Sequence, residues 1–281
     1  MTTQKNNFVI DPSATLIEWL RLIGPLLTEG MGGLFSERDD NLLGIKAVLD
    51  LGCGPGDWVI SVAKAYPDIQ VTGVDINQTV IEEAKSFAKT AGLDNAHFQV
   101  GDATLPLDFP SDSFNLVNAR TIVGFMKPDL WPPFLAEIQR ILRPGGAFRI
   151  TEFSEGLTNS EAATIFWGWY AKALRAQGRS FDPSGQHIGI INMLPQLLRK
   201  AGFTNVRMKA HAIDHSAGTE RWEGWYRNYS TVFQLLRPFV LKATGTSEEQ
   251  FNALYQQFQG EFLSEDFTGL EIYLTVWGEN P

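Results

Sequence analysis

One stretch of this 281-residue chain constrains its fold more than any other: Asp50-Leu51-Gly52-Cys53-Gly54-Pro55-Gly56-Asp57. It follows the apolar run AVLDL and leads into DWVISVAKAY, so a strand passes into a helix through a turn with glycine at every second position. Glycines let the backbone turn tightly and let a ligand lie against the main chain, and the helix behind offers free amides to an anion. A pyrophosphate or a carboxylate would satisfy that arrangement. The dinucleotide fingerprint G-x-G-x-x-G, however, needs its third glycine at position 57, which is Asp57. An acid opening the helix is a poor neighbour for pyrophosphate. Asp50 adds a second acid to the same crevice, which suits a ligand with positive charge.

The flanking sequence alternates short apolar runs with helical patterns, the signature of a parallel sheet built from strand-helix-strand units. Strands are expected at 47–52, 70–75, 97–102, 114–119, 147–153, 205–213 and 270–278. The fold class is therefore α/β: a Rossmann-like, seven-stranded, mostly parallel sheet with helices on both faces and an added helical lid. A helix is expected over 13–28, capped by Ser13 and broken near Gly24-Pro25, and another with Thr79 and Glu82 in capping-box spacing. Arg143-Pro144-Gly145-Gly146 reads as a turn before the fifth strand. The chain divides into an N-terminal helical segment (1–45), a ligand-binding core (46–155), a helical insertion (156–187), the core continued (188–215), a second insertion (216–268) and the last strand (269–281).

In an open parallel sheet the ligand binds at the carboxyl ends of the strands. Asp75 ends the second strand about 20 residues beyond the glycine loop, where a carboxylate can hold both hydroxyls of a ribose. Asp102 ends the third strand and lies next along the same crevice, in position for an adenine amino group. One such acid reads as a cap or turn residue. Three acids and a glycine loop at successive strand ends define a site.

These residues resemble the class I S-adenosylmethionine-dependent methyltransferases. VLDLGCGPGDW resembles the glycine motif of that family, GVDIN its ribose-binding acid, GDA its adenine-binding motif and LRPGG its late landmark, in order over residues 46–155. The resemblance implies S-adenosyl-L-methionine as cofactor and S-adenosylhomocysteine as product. It further implies that Gly52, Gly54 and Gly56 surround the methionine moiety, with Asp50 near its ammonium group and Asn118 near the sulfonium. Asp75 would hold the ribose, Ile76 the adenine face, Asp102 the adenine amino group and the Ala103 amide a ring nitrogen. VNARTIVGFMKPDLW, with Arg120, Gly124 and Trp131, resembles the branch with secondary-metabolite enzymes of the fungal regulator type. Nucleic-acid branches often carry Asn-Pro-Pro-Tyr after the fourth strand, where this chain has Asn118-Ala119-Arg120-Thr121, and the paired glutamates of protein-arginine members are missing. The expected partner is a small-molecule methyl acceptor.

Composition agrees with that choice. Lys and Arg number 23 against 32 Asp and Glu, so the net charge of −9 provides no positive field for nucleic acid. A single cysteine, Cys53, points to a reducing compartment. With neither a signal-peptide pattern nor a long apolar run, a cytoplasmic protein without a membrane span is expected. His211, Asp214 and His215 hint at a metal, but spacing of four residues joins two ligands on a helix and not along a strand, so no metal is expected.

The 8 Trp and 19 Phe are numerous, and the Trp-rich tracts lie in the helical additions at 164–178 and 218–267. Phe166, Trp167, Trp169, Tyr170, Trp222, Trp225, Tyr226 and Tyr229 form either the core of a lid or the wall of a site for an apolar, planar or cationic acceptor. From these, Trp167, Tyr170, Trp222 and Trp225, together with Met31, are the candidate substrate contacts. Glu152, at the end of the fifth strand, and His187, in a loop, are the candidate bases. The favoured reading is methyl transfer to a small, largely apolar or aromatic metabolite. Two alternatives use the same cofactor: a non-methylating cyclisation and a non-catalytic sensing protein.

Overall fold

The computed structural model describes Ile10 and residues 13–38 and 41–281. The first nine residues of the expected N-terminal segment, and residues 11, 12, 39 and 40, fall outside them. The described residues form an eight-stranded sheet. Strand β1 (Ala47–Leu51) lies parallel between β2 (Gln70–Asp75) and β4 (Phe114–Arg120). The sheet continues to β3 (Ala96–Val100) beyond β2 and to β5 (Leu142–Phe153) beyond β4. The last strand, β8 (Gly269–Glu279), runs antiparallel between β5 and β7 (Thr204–Asp214). The strand beyond the expected seven is the two-residue β6 (Leu157–Thr158), which extends the β5 side of β8.

Chain direction across the sheet reverses between β1 and β4, opening a crevice at the carboxyl ends of the parallel strands. Helices α2 (Asp57–Ala65) and α3 (Gln78–Thr90) cover one face, where Phe35 packs edge-on against Trp58 at 5.3 Å. Helices α4 (Trp131–Ile141) and α6 (Leu194–Ala201) contribute to the opposite core. Helices α1 (Ala14–Gly30), α5 (Glu161–Ala176), α7 (Trp222–Thr244) and α8 (Glu248–Phe262) join that core over the crevice. Inside this roof Phe166 stacks on Phe233 at 3.6 Å, and Phe258 closes on Phe233 at 4.8 Å.

Three local expectations are corrected. Ser13 caps α1 as expected, but Pro25 does not end the helix. A mid-helix proline costs about 3 kcal/mol, and burial of Leu16, Ile17, Ile23 and Leu27 on both sides of it offsets that cost at about 1.5–3 kcal/mol per side chain. Helix α3 is capped by Asn77, whose side chain accepts from the Thr79 and Val80 amides, and Thr79 lies inside the helix. Asparagine exceeds threonine as a cap. A capping box is formed instead by Ser247 and Gln250, at the start of α8. Finally, Arg143–Gly146 is absorbed as an irregularity within β5: Phe114 pairs with Leu142 and Leu116 with Ala147, so the extra residues bulge out and the strand resumes.

Candidate functional site

The crevice holds a cavity of about 210 Å³, more than ten times the ~10–15 Å³ a single water requires. It is thus a space for a molecule. Its floor is the strand-end loops: Gly52 and Gly54 after β1, Asp75, Ile76 and Asn77 after β2, and Asp102, Ala103 and Thr104 after β3. Its roof comes from the helical additions: Leu16, Trp19, Leu20, Ile23 and Leu27 of α1, Trp167 and Tyr170 of α5, and Trp225, Asn228, Tyr229, Val232 and Leu236 of α7. Glu271 and Tyr273 of β8 and Phe153 of β5 complete the wall.

The polar groups of the floor are fixed by backbone amides. Asp75 Oδ2 accepts from the Gly54 amide at 3.0 Å and Oδ1 from the Asn77 amide at 2.9 Å. Each oxygen keeps a lone pair for a ligand hydroxyl. Burial pushes this carboxyl up, and the amides oppose the rise. Asp102 Oδ1 accepts from the amide and hydroxyl of Thr104, at 2.8 and 2.6 Å, which orients it along the rim. Gly52 and Gly54 have φ of 68° and 55°, in the left-handed region that favours glycine, so bare main chain faces the cavity there.

Some expected contacts stand behind the floor and do not line the cavity. Asn118 Nδ2 donates to Asp50 Oδ1 at 2.7 Å, Arg149 Nη1 donates to Asn118 Oδ1 at 2.7 Å, and Arg149 is paired with the buried Glu37 at 2.7 Å. Burial raises Asp50 to about 6, with Arg120 opposing. This chain of bonds turns Asp50 and Asn118 into a support beneath the glycine loop. Gly56, with φ of 85°, starts α2; a Cβ there would meet Phe98 at 2.6 Å, so its bareness serves helix-to-strand packing.

The candidate bases also stand apart from the cavity lining. Glu152 is fully buried, with Oε1 accepting from the Ile122 and Val123 amides at 2.7 and 3.0 Å; it pins the turn after β4, and burial pushes it up to about 8. His187 is 65% exposed and faces Glu155 at 3.7 Å. Among the substrate candidates, Trp167, Tyr170 and Trp225 line the cavity. Trp222 does not, because its indole N–H donates to the Phe262 carbonyl at 3.1 Å. Met31 is buried at the end of α1, and the N-terminal segment reaches the cavity through the preceding helical stripe instead. His211 approaches Thr275 Oγ1 at 3.1 Å, and His215 lies among Trp225, Tyr229 and Phe262.

Two further charged residues stand in the wall: Arg120, which the sequence singled out only within the VNARTIVGFMKPDLW resemblance, and Glu271, which it did not single out. Arg120, ending β4, donates to Thr28 Oγ1 at 3.1 Å; burial lowers it to about 10, and Asp50 opposes that shift. Glu271 accepts from the Tyr229 hydroxyl. The signal for Glu271 was an acid in the otherwise apolar strand LEIYLTVWG.

Residues 48–146 match the family model of a methyltransferase domain. The chain is 32% identical over 185 residues to a demethylmenaquinone methyltransferase of Staphylococcus aureus, covering 59% of this chain and 71% of the relative. It is 27% identical over 186 residues to the probable methyltransferase ltbC of Aspergillus luteorubrus, with 62% of this chain and 65% of that protein covered. Phosphoethanolamine N-methyltransferase 2 of Haemonchus contortus, solved with S-adenosyl-L-methionine, shares the fold: TM-score 0.56 and 17% identity, covering 100% of this chain and 58% of that one. The chain belongs to the class I S-adenosylmethionine-dependent methyltransferases. Its cofactor is accordingly S-adenosyl-L-methionine, leaving S-adenosylhomocysteine, and a floor of acids and bare glycine backbone fits that cation. Among the described residues, no helix is long and apolar enough to cross a membrane.

Proposed function

We propose that this protein methylates a small, largely apolar or aromatic metabolite. The observation that carries the reading is the continuity of one cavity from the acid-and-glycine floor to a roof of aromatic and aliphatic side chains. Asp75 holds the ribose hydroxyls, Ile76 lies against the adenine, and Asp102 with the Ala103 amide reads its edge. Gly52 and Gly54 leave room for the methionine portion. The bound cofactor supplies a methyl group already activated by a sulfonium. The protein then has to exclude water and align the acceptor, and orientation alone is worth about 7–11 kcal/mol.

The additions at 156–187 and 216–268, with the N-terminal helix, act as the substrate lid. Trp167, Tyr170 and Trp225 present flat apolar walls to the acceptor, and Leu20, Ile23 and Leu236 fill the space between them. The staphylococcal relative is named for demethylmenaquinone, and the aromatic side chains of the wall support an aromatic acceptor for this chain as well.

The test is incubation with cofactor carrying a deuterated methyl group and a panel of hydroxylated aromatic compounds, read by mass spectrometry. A deuteromethyl mass gain on at least one panel member is expected. Tight cofactor binding with no mass gain on any oxygen, nitrogen, sulfur or carbon acceptor would overturn the reading.

A further inference from the structure

Beyond the cofactor floor, one group in the roof half of the cavity has no structural partner that accounts for its charge. Glu271 is 2% exposed and lies on β8, on the strand face shared with Tyr273 and Thr275. Both Glu271 and Tyr273 line the cavity. Its one hydrogen bond among the described residues is from the Tyr229 hydroxyl on α7. No Lys, Arg or His forms an ion pair with it among the described residues. An uncompensated carboxyl in an apolar wall costs several kcal/mol, so its position calls for a partner that arrives with the ligand.

The surrounding backbone makes room for this pair. Gly156 lies against it, and a Cβ there would come within 2.7 Å of Glu271 Oε1 and would also strike the Tyr229 hydroxyl. Tyr229 is held from behind by Trp225, Phe258 and His215, with ring centroids 6.2, 6.0 and 5.7 Å away. Tyr229 therefore sets the orientation of the carboxylate while a wall of rings excludes water.

We infer that Glu271, oriented by Tyr229, receives the proton of a weakly acidic hydroxyl on the acceptor. The inference rests on the methyltransferase reading and deepens it by naming the acceptor class: a planar, largely apolar molecule with a phenol-like or enol-like hydroxyl. The acceptor O–H bond breaks and its proton neutralises the Glu271 carboxylate. The electron pair left on oxygen forms the bond to the methyl carbon, while the methyl–sulfur bond breaks and leaves its pair on sulfur as a neutral thioether. Charge balances, since the carboxylate and sulfonium become carboxyl and thioether.

The acid-base environment agrees. Burial pushes Glu271 up to about 8, with the Tyr229 hydrogen bond opposing the shift. A base so raised holds a proton more firmly than an exposed glutamate. The titratable groups around it are Tyr229 on α7, Tyr273 on β8 and, behind Tyr229, the His215 ring after β7. Burial raises both tyrosines and lowers His215, so all three are neutral near pH 8; the carboxyls that change charge there are Glu271 in the wall and Glu152, which does not line the cavity, and Glu271→Gln separates the two. Arg120 and Glu152 act on Tyr273 through space from the β4 and β5 side.

The experiment uses the full chain saturated with S-adenosylhomocysteine, titrated with 2-naphthol and with naphthalene from pH 6 to 9.5. Wild type should prefer 2-naphthol, and the preference should rise about tenfold as pH passes through about 8, as a charge-assisted hydrogen bond replaces a neutral one. Glu271→Gln should remove that rise, Tyr229→Phe should weaken it, and Glu271→Asp should restore part of it. Naphthalene affinity should stay within about twofold in all three variants, because apolar contacts dominate its binding. A preference and pH profile unchanged in Glu271→Gln would overturn the inference, as would failure of both compounds to bind the saturated wild type. Failure of S-adenosylhomocysteine to bind would instead defeat the methyltransferase reading beneath it. Unfolding midpoints within a few degrees of wild type show that each variant is folded; if Glu271→Gln does not fold, Gly156→Ala displaces the same pair, and an unchanged profile in it overturns the inference equally.

Discussion

The floor and the roof of the cavity treat polar groups in opposite ways. On the floor, Asp75 is held by one amide of its own loop and one of the glycine loop, and Asp102 by an amide of its own loop. In the roof half, the Glu271 carboxyl has only a tyrosine hydroxyl among the described residues, and behind the wall, outside the cavity lining, the Nε2 atom of His215 has no hydrogen-bond partner among them. Amide-bonded acids are satisfied before a ligand arrives, so the floor is organised in advance for a fixed group. The roof leaves polar groups underused among stacked rings, as a site whose ligand brings its own donor would. A family that keeps one cofactor and varies its acceptors needs both treatments in one cavity.

The largest expected effect comes from breaking the roof alone. Phe258 is fully buried and touches Phe233, Tyr229, Phe262 and Tyr226. Phe258→Ala should lower unfolding stability by about 3–5 kcal/mol, measured by urea denaturation. If the roof is a separate layer over a finished floor, the variant that remains folded should bind S-adenosylhomocysteine almost as wild type does. A loss of stability under 1 kcal/mol would mean the ring cluster is not the roof's core.

A smaller effect sharpens the same contrast through pH. Burial lowers His215 from an ordinary 6.5 to about 4, so the folded state keeps the neutral ring while the unfolded chain takes up a proton first. Its contribution is therefore complete above pH 6.5 and is lost as pH falls toward 4. At pH 5 the loss is on the order of 2 kcal/mol. Melting temperatures at pH 7 and pH 5 should differ more in wild type than in His215→Phe. Equal acid sensitivity of the two proteins would place the acid-labile group elsewhere.

These two halves also differ in how far the sequence revealed them. The glycine loop and the acids after β2 and β3 are local: a turn, a helix start and a strand end fix their positions within a few residues. Gly52, Gly54, Asp75, Ile76, Asp102 and Ala103 all line the one cavity. Asp50 and Asn118 were named for the same crevice, yet a long-range pairing with Arg149 and Glu37 draws them beneath it, and no local pattern carries that information. In β8, the sequence LEIYLTVWG alternates Leu270, Ile272 and Leu274 with Glu271, Tyr273 and Thr275, and alternate residues point to opposite faces. The structure buries Glu271, Tyr273 and Thr275 more deeply, because the helices inserted before β8 cover that face. Which face a strand buries depends on what packs there, and in this chain the covering helices are additions to the sheet.

One calorimetric comparison tests the division of labour most directly: S-adenosylhomocysteine titrated into wild type, Asp75→Ala and Glu271→Gln. Loss of the carboxylate's hydrogen bonds should weaken binding by about 10- to 100-fold in Asp75→Ala, while Glu271→Gln should bind within about twofold of wild type because it stands at the acceptor end. Equal weakening in both variants, or unchanged affinity in Asp75→Ala, would contradict the account of one cavity with a cofactor floor and an acceptor roof.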